Sequence, residues 1–589
     1  MTKTETHIES LPDYCPEGLS ADIFRKRDAL HEQETWFDAC ERVGGHVATA
    51  ESGENVPKYK EEFKALLLKN LFVPGGRIMY GSGRPKGQLM NCFVIPTSDS
   101  REGWGKTVSD MIVICGTGGG LGVNGSPVRP RGTPISGTGG SATGSVSLFE
   151  IINAAGEVIK AGGGRRTALM MCLGLTHGDI EEFLDKKLDL HQLTNANVSV
   201  WFDENPEEFF ALVKADKELQ LKFRGKTIGK VPAKKIWDKI IANALKSGEP
   251  GLLNGYLFNK MSNIWYHAPI ISTNPCGEIG LVANDVCCLG ALVLPRFVIS
   301  GEIDYDLLAR SVKLAVRFLD DVISVNNYPL PEIQAVANDI RRIGLGVMGL
   351  HDLLLLMGLK YNSPRGLELI DKVLGFIKVR AYEASIDLAK EKGAFPKFQA
   401  EPFLKGGFAK TLKPTLRAAI REHGIRNCAL LTIAPTGTTS MVSGVTSGIE
   451  PMFAPAYRRK YRDGDVLKEE IVIHPLLKKF IDEKKSVKHF QGAFDLSLRD
   501  HFEAQRAAQA HLDNACSKTI NLPQGTSAEE LSDLYMEFFP ELKGVTVYPD
   551  GSREDQPLTP ISLEEAVKLA KEAKTEAEEG RCRSGVCEI

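Results

Sequence analysis

Thr273-Asn274-Pro275-Cys276-Gly277-Glu278 sets an amide, a thiol and a carboxyl on alternate residues. In an extended segment alternate side chains point the same way. Pro275 and Gly277 fill the gaps, so a shaped loop is expected rather than a central strand. Taken alone, the loop reads equally well as a turn holding an inert thiol, because free cysteine is among the most buried residue types.

Two flanking stretches repeat the theme. Cys287-Cys288-Leu289-Gly290 downstream and Asn91-Cys92-Phe93-Val94-Ile95 upstream each set a cysteine at the edge of an apolar strand. In isolation both are core cysteines. The terminal Cys582-Arg583-Ser584-Gly585-Val586-Cys587 differs, because two thiols on a polar, glycine-containing tail have no core to fill. A structural zinc site normally needs four ligands. The tail offers two cysteines and no histidine, so dithiol chemistry is expected there and no metal site.

The chain of 589 residues balances 72 Lys and Arg against 75 Asp and Glu, a formal net charge of −3. That argues against nucleic acid or an anionic membrane as the main partner. Met1 to Leu11 is polar and acidic with no apolar core of a signal peptide. Apolar runs such as Leu353 to Met357 are too short to span a bilayer, so a cytoplasmic location is expected. Twelve cysteines are too few for the framework of a secreted domain.

Apolar spacing predicts helices from Ala21 to Lys69, then short strands (Cys92 to Ile95, Met111 to Cys115) between glycine-rich turns. Glu207 to Ser247 reads as charged and mostly helical, and Leu289 to Leu294 as a strand. Helices follow at Tyr305 to Val325 and from Ser363, an N-cap with Pro364 behind it, to about Glu391. Ala429 to Ile433 reads as an apolar strand, and a charged helix opens at Ser562 with Glu565 in a capping-box position. This mixture predicts an α/β barrel: a helical region over 1–70, the barrel over 71–555, and a helix with a redox tail over 556–589.

Pro435-Thr436-Gly437-Thr438-Thr439-Ser440 follows the last strand and is rich in hydroxyls, with a permissive glycine. Such a loop can aim backbone N–H groups at phosphate; the competing reading is an ordinary Ser/Thr turn. Gly120, Gly122 and Gly125 satisfy a dinucleotide-binding spacing. Pro127 and Pro130 follow at once and would break the helix that motif requires, so a Rossmann site is rejected.

Together these motifs resemble the ribonucleotide reductase family, from about Ala21 to Ile589. In order they are Asn91-Cys92, Gly118-Gly119-Gly120-Leu121-Gly122-Val123, Asn274-Pro275-Cys276-Gly277-Glu278, Ala434-Pro435-Thr436-Gly437-Thr438 and the terminal cysteine pair. The resemblance implies a ten-stranded α/β barrel whose central finger loop carries Cys276 as a thiyl radical that takes the ribose 3′-hydrogen. It implies Glu278 as base on the 3′-hydroxyl, Asn274 as a ribose-hydroxyl ligand, and Cys92 as proton donor to the departing 2′-hydroxyl. Cys92 and Cys287 would supply two electrons, and Cys582 with Cys587 would reduce their disulfide. Alignment on Leu289-Gly290 makes Cys287 the redox residue and leaves Cys288 where the family commonly has Asn; exchange of those two roles stays open. Substrate would be held by Gly120 and by Pro435, Thr436, Gly437, Thr438, Thr439 and Ser440. Gly163-Gly164-Arg165-Arg166 resembles the family's loop between an allosteric nucleotide and the substrate base, with a solvated turn as the alternative.

The oxygen-dependent branch of the family relays its radical through adjacent tyrosines, but Pro549 follows Tyr548 here and cannot be oxidised. The glycyl-radical branch lacks the glutamate equivalent to Glu278. The remaining resemblance is to the adenosylcobalamin-dependent branch. It implies ribonucleotide substrates, deoxynucleotide or ATP effectors, thioredoxin or a similar dithiol reductant, and a homodimer. The alternatives are a catalytic subunit needing a separate radical-generating partner and a silent nucleotide-binding regulator. No ATP-binding cone is recognisable before Asn91, so no overall activity switch is expected.

Overall fold

The computed structural model describes residues 8–137, 139–159, 167–188, 192–463, 466–550 and 558–578. Gly163 to Arg166, Cys582 and Cys587 lie outside them. The predicted N-terminal helical stretch resolves into α1 (Gly18–Arg27), α2 (Trp36–Ala48) and α3 (Asn55–Leu68). Thr35 and Asp38 cap α2 reciprocally. At Gly44 an added Cβ would lie 2.9 Å from Lys64 N, so the glycine lets α2 and α3 approach closely. Phe63 meets Phe318 edge to face at 5.1 Å, seating α3 in the main core.

Eight of the strands form one mixed sheet. Five of them run parallel in sequence order: β2 (Cys92–Val94), β3 (Gly120–Asn124), β4 (Leu169–Gly174), β5 (Ala196–Trp201) and β6 (Gly251–Leu253). The hairpin of β7 (Ser272–Thr273) and β8 (Gly280–Leu281) follows. After it β9 (Asp285–Cys287) pairs antiparallel with β2. Past Cys288 the chain continues as β10 (Leu289–Val293), between β1 (Phe72–Pro74) and the parallel β11 (Gly344–Met348). At the far edge β12 (Thr519–Leu522) pairs parallel with β13 (Gly544–Pro549), which pairs antiparallel with β6. Two isolated parallel bridges, Leu345 to Leu431 and Ile433 to Cys516, lie between the sheets. Strands β3, β4, β10 and β11 are buried along their whole length, as expected where both faces are covered.

The covering helices include α4 (Arg101–Gly116), α5 (Ser145–Val158), α6 (Tyr305–Val325), α7 (Pro364–Lys392), α8 (Gly437–Ser443) and α9 (Leu563–Glu578). Ser363 caps α7 by accepting the Gly366 N–H at 3.1 Å, and Ser562 accepts from Glu565 N at 3.2 Å ahead of α9. Among the described residues no helix is long and apolar enough to cross a membrane.

Three expectations are corrected. Met111 to Cys115 is not a strand but the end of α4; Thr107, Asp110, Met111, Ile114 and Cys115 form its buried stripe, while Ile112 and Val113 face outward. The charged stretch from Glu207 to Ser247 contains a hairpin, Glu218–Phe223 with Lys226–Pro232, turned by Arg224 and Gly225 at positive φ. Ala429 to Ile433 pairs only at single bridges, because the Asp513 carboxylate accepts the Leu430 and Leu431 N–H groups at 2.8 and 2.7 Å. Among the described residues no helix follows Gly125 until Ser145, in keeping with the rejected dinucleotide motif.

Candidate active site

The loop between β7 and β8 is held from several directions. Asn274 Oδ1 accepts the Ile279 N–H at 3.1 Å, and Gly277, at φ 81°, donates to Asn274 O at 3.0 Å. From β5, Asn197 Nδ2 donates to Pro275 O at 2.7 Å; from β3, Asn124 Nδ2 donates to Ile271 O at 2.8 Å. On the other side Thr432 Oγ1 and Ala515 N donate to Glu278 O at 2.7 and 2.8 Å. The close approach to β3 explains its glycines. A Cβ on Gly122 would lie 1.9 Å from Thr273 O, and one on Gly120 would lie 2.9 Å from Pro275 Cγ and 3.0 Å from Cys92 Sγ.

Cys276 is thus carried at the loop tip. It is sunk deep among protein atoms, yet its side chain stays exposed because it opens onto cavities. Burial, reinforced by Glu278 and Cys92, pushes its thiol well above the usual range. Glu278 is buried, and burial lifts its pKa to about 7 against the opposing effect of the nearby Asn274 side chain. Neither Glu278 Oε2 nor Asn274 Nδ2 makes a hydrogen bond. Two unsatisfied polar atoms beside a cavity mark a place built for a polar ligand.

That cavity, of about 210 Å³, is lined by Asn91, Cys92, Asn274, Cys276 and Glu278. Gly75, Gly76 and Pro435, Thr436, Gly437, Thr438 and Thr439 line it as well. Thr436 adopts a left-handed conformation at φ 49° as its hydroxyl accepts the Gly448 N–H at 2.9 Å, and α8 begins behind it. Ser440 turns aside to Ser447 Oγ at 2.9 Å, and Gly120 lies against Pro275 and Cys92 rather than lining this cavity.

Cys92 and Cys287 stand directly opposite in the β2–β9 ladder. Opposed residues of an antiparallel pair have Cα atoms about 4.5–5.5 Å apart, within the span of a disulfide. Burial and the adjacent Cys92 push the Cys287 thiol well up. Cys288 leaves by the other face, its Sγ 3.4 Å from Leu319 O on α6. A second cavity, of about 510 Å³, also reaches Cys276; Ser199, Glu450, Cys516, Lys518 and Tyr548 are among its lining residues. Lys518, itself buried, donates to Glu450 Oε2 at 2.7 Å and contacts His501 Nδ1 at 3.1 Å.

Residues 90–548 match the family model described as "Ribonucleotide reductase, barrel domain". The chain belongs to the ribonucleotide reductase family. It is 33% identical, over 96% of its length and 83% of the relative's, to a vitamin B12-dependent ribonucleoside-diphosphate reductase of Mycobacterium tuberculosis. A reductase of the same name from Thermoplasma acidophilum is 35% identical over 86% of this chain and 67% of its own. The ribonucleoside-diphosphate reductase large chain of Encephalitozoon cuniculi is 29% identical over 68% and 57%. Sequence reasoning missed Gly122, Asn197 and Thr432 as supports of the reductase loop. For Gly122 a signal existed, since alternate glycines on a strand announce a close backbone approach.

Proposed function

We propose that this ribonucleotide reductase converts ribonucleotides to 2′-deoxyribonucleotides on a closed ten-stranded barrel, with adenosylcobalamin as its radical source. Closure is supported by the strand directions. The parallel group β2 to β6 meets a second group at both ends, through the antiparallel pairs β6–β13 and β2–β9. The second group comprises β9 with β10, β11, the bridge segment at Leu431 to Ile433, the segment from Cys516 through β12, and β13. The loop from β7 to β8 would then be the finger at its centre, within a barrel domain over 71–555.

The observation that carries the reading is Cys276 shared between two cavities, one of which also holds Cys92, Asn274 and Glu278. In the smaller cavity the substrate phosphates would lie against Pro435 to Thr439, and the ribose between Asn274, Glu278 and the thiols. As a thiyl radical Cys276 takes the 3′-hydrogen. Glu278 accepts the 3′-hydroxyl proton, and Cys92 protonates the departing 2′-hydroxyl, which leaves as water. Cys92 and Cys287 give two electrons and end as a disulfide; Cys276 returns a hydrogen atom to C3′. Exchange with Cys582 and Cys587, and then with thioredoxin or another dithiol, restores the pair.

The larger cavity is where the cofactor would approach Cys276: Ser199, Thr519 and Tyr548 offer hydroxyls, Lys518 is paired with Glu450 in its wall, and Cys276 lines it. Adenosylcobalamin supplies a carbon radical by cobalt–carbon homolysis when bound. Pro549 beside Tyr548 and the names of the mycobacterial and Thermoplasma relatives support this source over a tyrosine relay. Ten unpaired cysteines among the described residues support a reducing, cytoplasmic setting. Outward-facing Ile112 and Val113 on α4, with Ile151 and Val158 on the adjoining α5, support a homodimer. Deoxynucleotide or ATP effectors would act through Gly163 to Arg166.

The test is product formation by the purified chain with adenosylcobalamin, a dithiol, a ribonucleoside di- or triphosphate and deoxynucleotide effectors. Cobalamin-dependent deoxynucleotide is expected, and Cys276→Ala should lose all turnover while calorimetry still detects nucleotide binding. Product from the Cys276→Ala enzyme would refute the radical assignment.

A further inference from the structure

Helix α8 follows the loop assigned above to the substrate phosphates, and it is only seven residues long. A helix leaves its last four carbonyls without internal partners, so the direction of one this short depends on what binds them. Ser440 O accepts the Val445 N–H at 3.1 Å, and Met441 O the Gly444 N–H at 3.3 Å, within the local turn. The remaining bonds come from the far N-terminal part of the chain. Ser20 Oγ donates to Met441 O at 2.7 Å. The Tyr14 hydroxyl donates to Val442 O. Asn70 Nδ2 donates to Ser443 O at 3.5 Å and Asn70 Oδ1 accepts the Ser443 hydroxyl at 2.9 Å. Between 373 and 428 positions separate these partners in sequence.

The donors are themselves fixed. Tyr14 N donates to Leu68 O at 2.8 Å, its ring meets Trp36 edge to face at 6.0 Å, and the Arg296 guanidinium lies 4.8 Å from its centre. Ser20 is buried on α1, and Asn70 is fully buried in a left-handed conformation at φ 53°. None of the three lines the substrate cavity; Gly437, Thr438 and Thr439, at the opposite end of α8, do. About 10 Å of helix separates the two ends.

We propose that Tyr14, Ser20 and Asn70 are positioning residues that clamp the C-terminal end of α8 and so aim the phosphate loop. The N-terminal segment thereby helps set substrate affinity and the preference for phosphate number. This inference rests on the phosphate-loop reading above. Moving a hydrogen-bond donor by about 1 Å takes it out of the range of its acceptor, so a pivot of α8 would be felt where the phosphates bind.

The test compares the enzyme, with adenosylcobalamin and a dithiol, against a Tyr14→Phe/Ser20→Ala double variant that removes two hydroxyls and keeps the ring at position 14. KM for ADP should rise by up to about tenfold, the range of coupling between a remote contact and a binding site, with kcat within about twofold. The ratio of kcat/KM for ADP to that for ATP should change by about threefold or more, which a purely structural role would leave alone. Ser20→Thr, which keeps a hydroxyl, should retain the wild-type KM. An unchanged KM and phosphate preference, with only a lower Tm, would assign the clamp to stability and overturn the proposal. Thr438→Ala separates the two readings. If it raises KM while the double variant does not, the clamp alone falls. If it leaves KM unchanged, the loop reading falls and takes the clamp with it.

Discussion

Glu278 shows what burial does to a single residue. Its pKa, ordinarily 4.5, is raised to about 7 by desolvation. Between those values the folded protein holds a proton that the unfolded chain has released, so stability falls as pH rises through this window and stays lower above it. Glu278→Gln removes the penalty. Its Tm should exceed the wild type's at pH 8, by the equivalent of at most about 3 kcal/mol, and the gap should close below about pH 4.5 in a calorimetric series. The same pKa, being that of the free enzyme, gives wild-type kcat/KM an acid limb near pH 7, where the base becomes protonated. Cys287 and Cys288 form a second contrast between neighbours. Cys287→Ser should stop multiple turnover with any reductant, whereas Cys288→Ser, altering only a core contact to Leu319, should keep most activity. Equal loss in both would reopen the assignment of the redox partner.

Among the elements, β3 is the most constrained by function. Its glycines leave room for the loop that carries Cys276, and Thr273 O lies where a Gly122 side chain would begin. Gly122→Ala therefore has to displace backbone, with a destabilisation of roughly 1–3 kcal/mol or more. The expected outcome is a lower Tm together with a fall in kcat of about 100-fold from a misplaced thiol; wild-type kinetics would show that the loop can shift harmlessly. The bridge segment from Leu430 to Ile433 makes a different compromise. It surrenders ladder hydrogen bonds to the Asp513 carboxylate, and Thr432 is left to hold the loop at Glu278 O.

For the molecule as a whole, the main hydrophobic core runs from Ile8 to Val547, so the N-terminal helices are packed into the same core as the strands. Outside it, α4 and α5 present Ile112, Val113, Ile151 and Val158 to solvent. If that face joins two copies, Ile112→Asp/Val113→Asp should convert a dimer to a monomer in sedimentation velocity. It should also leave Tm nearly unchanged, because exposed positions carry little folding energy. A variant that remains dimeric would move the interface elsewhere.

The sequence by itself determined the chemistry and much of the helical framework. The order of Cys92, Asn274, Cys276, Glu278 and Cys287 is a covalent fact, and α6 and α7 announce themselves by apolar period and by the Ser363-Pro364 cap. Short apolar runs carried less. Met111 to Cys115 fits a strand as well as a helix until the stripe from Thr107 to Cys115 is seen packed, because a five-residue window barely distinguishes the two periods. Only the tertiary structure decided that Cys287 rather than Cys288 faces Cys92, since strand alternation depends on register. Only it brought Tyr14, Ser20 and Asn70 to the end of α8. Contacts between residues hundreds of positions apart arise from packing, and no local pattern in a single sequence encodes them.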